Sequence, residues 1–255
     1  MILKQIEMCL NQPDFPSEIC NPFNYQVRSF GNFLERSVKE QKLKMEYGRY
    51  FLTLVGERLH VPSIDDGTLQ ICIPFDLEGY KKLPLQQLND YLNRGLIAKT
   101  PKAIREFDET RFPKHEYTQL PIAQISEFFI EHFIKGMKAV EGVFEIPSSL
   151  FLEAIEKFRK AQYKNKWVLK AKTFKKERIK VVLENELLIS DFLLNLKILC
   201  DDEIVFSEVL LRRPPSEYIF QHLLKGPLIK KVSPQILFID ISGHTYRKDI
   251  SEYLN

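Results

Sequence analysis

Between Trp167 and Leu211, four strand-length segments follow one another with turn-length gaps, a succession that restricts the second half of the chain more than any other feature. Trp167–Phe174, Arg178–Glu184, Phe192–Leu199 and Ile204–Leu211 carry strand signals, and Cys200-Asp201-Asp202-Glu203 turns the last pair. The reading is an antiparallel meander. Gln235–Ile241 adds a buried strand. Pro214-Pro215-Ser216 opens a helix running to Lys225 and ending at Gly226, and the tail from Arg247 reads as helical.

The first half mixes periods. Ile2, Ile6 and Cys9–Leu10 fall at helical spacing. Asn21-Pro22 starts a helix whose face carries Phe23, Val27, Phe30, Leu34 and Val38. Tyr50–Val55 and Leu69–Phe75 are runs of β-formers with the turn signal Asp65-Asp66-Gly67 between them, which predicts an antiparallel pair. Helices are expected at Leu83–Arg94, Thr100–Asp108, Ile122–Val140 and Leu150–Tyr163, with a short strand at Gly142–Ile146. Runs of strands with a few helices, rather than strict β-α-β alternation, define an α+β fold with mainly antiparallel sheet and flanking helices. Pro147 marks the natural boundary. An N-terminal α+β half spans residues 1–147, and a half made of a helix plus the meander spans 148–255, with one shared core as the alternative.

The length of 255 residues suits one large or two smaller domains and needs no disulfide or metal staple. Aromatic residues make up 12% of the chain, enough large apolar groups to argue against disorder. The closest two of the ten glycines, Gly136 and Gly142, are six apart. Dinucleotide fingerprints, P-loops and nucleophile elbows all need closer glycines, so no nucleotide cofactor is expected. His60, His115, His132, His222 and His244 lie too far apart for zinc-ligand spacing, and no metal is expected. His132 reads as a satisfied core or rim histidine. Cys9, Cys20, Cys72 and Cys200 show no paired spacing and read as free thiols in a reducing, cytoplasmic setting. The first eleven residues do not resemble a signal peptide, and no stretch approaches a membrane span.

Charge is unevenly distributed. Lys157–Lys180 holds eleven basic residues and one acid, Glu177, leaving 26 basic and 33 acidic residues elsewhere. In extended chain, alternate side chains share a face. Lys166, Lys170 and Lys172 then share one face and Arg178 and Lys180 the next, while Trp167, Leu169 and Ala171 point into the core. Lys164 and Lys176 keep the same even phase, Lys175-Lys176 lies at the turn, and Tyr163 and Phe174 lie within or beside the face. Such a ribbon suits nucleic acid or another polyanion, because each lysine that meets a phosphate releases a counterion and nearby aromatics stack on bases. An acidic protein is the next partner to consider. The plainer reading is a solvated strand face, or an edge strand guarded by lysines.

Asp240 and His244 flank a strand exit with Ser242-Gly243 and become a catalytic pair only within hydrogen-bond reach. The clusters Asp65-Asp66 and Asp201-Asp202-Glu203 serve a metal-dependent nuclease or hydrolase only if they converge with other groups. Three functions follow in order: a non-enzymatic polyanion-binding protein using the basic hairpin face; a protein-interaction module, such as an immunity- or antitoxin-like neutraliser of one partner; and a metal-dependent hydrolase.

Overall fold

The structure is a computed structural model that describes residues 1–56, 60–95, 120–213, 215, 226–241 and 244–253. The helix expected at Thr100–Asp108, and all but Pro215 of the one expected at Pro214–Lys225, lie outside the described residues. The fold is α+β. The chain divides into two compact units, Met1–Asn165 and Lys166–Asn255.

The first unit is built on a four-stranded sheet. Its strands are β1 (Gln5–Leu10), β2 (Arg49–Val55), β3 (Ser63–Asp65) and β4 (Thr68–Pro74), in the order β1-β2-β4-β3. The first residues are strand and not helix, because Ile6, Met8 and Leu10 alternate as buried positions with half-buried Gln5, Glu7 and Cys9. The pair expected to be antiparallel, Tyr50–Val55 with Leu69–Phe75, is parallel, Leu52 lying opposite Ile71. The turn signal is real but serves a different partner. Asp66 and Gly67 adopt positive φ, 43° and 66°, and fold β4 back on the three-residue β3. Positive φ at both central positions is the geometry of a tight hairpin turn.

Among the described residues of the unit are six helices: α1 (Ser17–Gln26), α2 (Arg28–Gln41), α3 (Leu77–Lys82), α4 (Gln86–Gly95), α5 (Ile122–Val140) and α6 (Ser148–Lys160). Helices α1 and α2 pack on β1 and α5 on β4. A Cβ on Gly136 of α5 would lie 2.7 Å from Leu52 Cδ1, so glycine permits that close approach of helix to sheet. Aromatic rings fill the space between. Phe23 meets Phe75, Tyr80 and Phe129 edge-on, and Phe133 meets Phe30 and Phe151 in the same way. Edge-to-face pairs add about 0.5–1.5 kcal/mol each beyond their buried area. Residues Gly142–Ile146 form an isolated bridge at Glu141 and Phe144 instead of a strand. The boundary falls later than Pro147, because α6 buries Phe151, Ala154, Ile155 and Phe158 and packs against α2.

The second unit contains the meander. Strands β5 (Asn165–Phe174), β6 (Ile179–Leu187), β7 (Phe192–Cys200) and β8 (Glu203–Arg213) run in that spatial order, and β6-β7 and β7-β8 are antiparallel. A second antiparallel sheet contains β9 (Leu228–Lys231), β10 (Ile236–Ile241) and β11 (His244–Asp249), with β10 central. The tail from Arg247 thus continues β11 and turns only at Ser251–Tyr253. Ile179, Val181, Leu183, Phe192, Leu194, Leu196 and Ile198 form one core with Ile229, Leu237, Ile239 and Ile241 of the smaller sheet.

Candidate binding surface

The site expected from sequence is the basic ribbon on β5, its turn and β6. Lys175–Glu177 form the turn as a single 3-10 segment. The common face does not persist along β5. Trp167 and Leu169 pack on the core, and so does Phe174, which has the opposite parity. Lys172 follows Phe174: its ammonium donates to the Ile229 carbonyl at 2.9 Å and sits 5.4 Å from the Phe174 ring centre. The common face expected for Lys166, Lys170 and Lys172 is therefore broken between Leu169 and Lys172, because a half-buried phenylalanine competes for the core side.

Acids from neighbouring strands answer most of the remaining charge. Lys166 pairs with Glu186 of β6 at 3.1 Å. Arg178 pairs with Asp201 at 2.7 Å and Lys180 with Asp202 at 3.9 Å, both acids lying in the β7–β8 turn. Glu177 is held by Lys231 of β9, whose ammonium keeps that carboxyl below the usual range. Lys164, Lys170, Lys175 and Lys176 are exposed and have no ion pair among the described residues. Over the whole second unit the formal count is 15 basic and 12 acidic side chains, and over the first it is 22 of each.

Neither aromatic of the expected face is available for stacking. Tyr163 donates its hydroxyl to Glu127 at 2.8 Å and packs edge-on against Phe158. Glu127 also accepts from Arg159 Nε and Nη2, at 2.8 and 2.7 Å, and this holds its carboxyl below the usual range. Phe174 is capped by Lys172 on one hand and Lys231 on the other. Strand β5 is an edge of its sheet, where lysines discourage pairing with a foreign strand.

Asp240 lies opposite Thr245 and Leu228 in the smaller sheet, and His244 lies opposite Ile241; Ser242 and Gly243 fall outside the described residues. No group of three or more histidines, cysteines or acids able to hold a metal ion occurs among the described residues. Asp66 binds Arg49, while Asp201 and Asp202 bind Arg178 and Lys180, so the acidic clusters serve separate ion pairs. His132 is a satisfied core group. Its Nδ1 lies 2.8 Å from the Phe128 carbonyl, Nε2 accepts from the Asp76 backbone amide at 3.4 Å, and burial lowers its pKa. All four cysteines are unpaired, and burial raises the Cys9 thiol to about 11.

The outer face of the four-stranded sheet was not singled out by sequence. It carries Lys166–Glu186 and Lys197–Glu184 as cross-strand ion pairs, the latter at 2.5 Å, and Lys180 reaches Asp202 of the β7–β8 turn. Among them lie Val168, Leu193, Leu199, Ile204 and Val209, of which Val168 and Ile204 are both 57% exposed. The available signal was the β6–β7–β8 register: alternation places Leu193, Lys197 and Leu199 on the side opposite Leu194, Leu196 and Ile198. Comparison with known protein families, curated proteins and solved structures finds no match. No helix among the described residues is long and apolar enough to cross a membrane.

Proposed function

We propose that this chain is a non-catalytic protein-interaction module whose contact surface is the outer face of the β5–β8 sheet, in the manner of a neutraliser of one protein partner. The observation that carries this reading is the composition of that face. Exposed Val168, Ile204 and Val209 lie among ion pairs that are already satisfied within the chain. A phosphate backbone needs unsatisfied cations, whereas a protein partner uses apolar anchors set among polar groups that fix register. The near balance of charge in each unit supports the same choice. Exposed apolar groups grouped on one face are the mark of an interaction surface, whereas scattered single ones are ordinary.

The test is affinity capture from the source cells with wild-type protein and with Val168→Glu and Leu199→Glu variants, followed by reassembly from purified components. A partner that binds wild type at one to one by calorimetry, and binds the variants at least tenfold more weakly, is the expected result. A partner retained by both variants, or salt-sensitive nucleic-acid binding as the only interaction, overturns it.

A further inference from the structure

Both ends of the four-stranded sheet are edges, but they are built differently. β5 carries lysines, whereas β8 exposes Ile204, Val205, Ser207, Glu208 and Val209 with no strand on its outer side among the described residues. Strand β8 is also symmetric about Ser207. Val205 and Val209 lie two residues to either side, and they are 40% and 50% exposed. Asp202 and Asp201 lie five and six residues before Ser207; Arg212 and Arg213 lie five and six after it.

An antiparallel pairing of two β8 strands about a two-fold axis at Ser207 uses every one of these features. Val205 of one copy faces Val209 of the other, twice. Ser207 lies opposite Lys197 and Val209 opposite Asn195, so Ser207 and Val209 share the outer side, while Val205 falls at the irregularity between Ile204 and Phe206. The acidic turn of each copy lies beside the arginine pair of the other. A parallel pairing sets acids against acids. Both charged ends also have partners within their own chain, Asp191 for Arg212 and Arg178 and Lys180 for the acids. The intermolecular charges therefore set direction and register more than affinity. Two irregularities in the β7–β8 ladder, between Leu194 and Asn195 and between Ile198 and Leu199, leave Phe206–Val209 as the regular stretch at the axis. Such bulges blunt an edge, so the pairing is short and its strength modest.

We infer that β8 is a self-association edge, and that two copies of this chain pair through it about Ser207 to make one continuous eight-stranded sheet. The inference stands apart from the outer-face reading, since it concerns the strand edge and a second copy of the chain.

Sedimentation velocity over a concentration series tests it, together with a Ser207→Cys variant exposed to oxidised glutathione. The expected results are a monomer–dimer equilibrium for wild type, a covalent dimer for Ser207→Cys that wild type does not form, and a dissociation constant at least tenfold higher for Val209→Lys with unchanged circular dichroism. A wild type that stays monomeric, a dimer that Val209→Lys leaves intact, or a dimer without the Ser207→Cys cross-link overturns the inference. So does growth beyond dimer with concentration, which marks β8 pairing with the lysine edge of β5.

Discussion

Eight cations lie between Lys164 and Lys180, and the structure leaves four of them, Lys164, Lys170, Lys175 and Lys176, with neither an ion pair nor a side-chain hydrogen bond among the described residues. Polyanion binding converts that difference into a measurable slope. Each phosphate neutralised contributes about −0.9 to the slope of log affinity against log salt on duplex DNA. Eight working cations give about −7, and a fourfold rise in salt then weakens binding about 20,000-fold. Four give about −3.6, and the same rise costs about 150-fold. The ion pairs of Arg178 and Lys180 are largely exposed, so each contributes only about 0–1 kcal/mol to stability, while that of Lys166 is partly buried at Glu186. Their effect on DNA lies elsewhere: a phosphate that meets Arg178 also meets Asp201. Removing the acids with Glu186→Gln, Asp201→Asn and Asp202→Asn frees three cations and should steepen the slope to about −6. Fluorescence anisotropy of a labelled mixed-sequence duplex over a salt series reads both slopes. A wild-type slope already near −7, or one that the triple variant leaves unmoved, refutes the argument that neighbouring strands cancel the ribbon.

Gly136→Ala sets a gain in helix propensity of about 1 kcal/mol against an overpacking cost of about 1–3 kcal/mol, because the new Cβ falls 2.7 and 2.9 Å from the methyl groups of fully buried Leu52. A net loss of about 1 kcal/mol is expected from urea unfolding, and a stabilised variant contradicts the close approach. The Tyr50 hydroxyl is buried with no hydrogen-bond partner among the described residues, so Tyr50→Phe should raise stability by about 1 kcal/mol, whereas a loss of that size reveals a partner. Burial lowers the His132 pKa below its unfolded value. Its contribution is therefore complete above the ordinary histidine value of about 6.5 and is lost as pH falls below it toward the native value. Wild type should lose more stability than His132→Gln between neutral and mildly acidic pH, and equal losses exclude His132 as the cause.

What the sequence made legible was local, and what it hid was the choice of neighbours. The meander, its Lys175–Glu177 turn and the Cys200–Glu203 turn follow from residue types a few positions apart, and all are present. The parallel pairing of β2 and β4 was not legible, because the three-residue β3, which takes up the Asp66-Gly67 turn, carries too little pattern to be seen. The N-terminal strand was legible in principle: Ile6, Met8 and Leu10 alternate, but Ile2, Ile6, Cys9 and Leu10 also fit a helix, and a ten-residue window does not separate the two periods. The cross-strand partners of the basic ribbon were hidden for a related reason. A window along the chain counts only sequence neighbours, and Lys157–Lys180 contains a single acid. A sheet gives every residue a second set of neighbours across the strand, here Glu186 for Lys166 and the Asp201-Asp202 turn for Arg178 and Lys180. That turn is legible from sequence as the link between β7 and β8. Pairing β7 against β6 from their hairpin register sets Ile179 opposite Cys200 and brings Arg178 and Lys180 to the acids next in the chain. Charge segregation along a β-rich sequence is therefore evidence for a polyanion site only after the cross-strand partners have been placed.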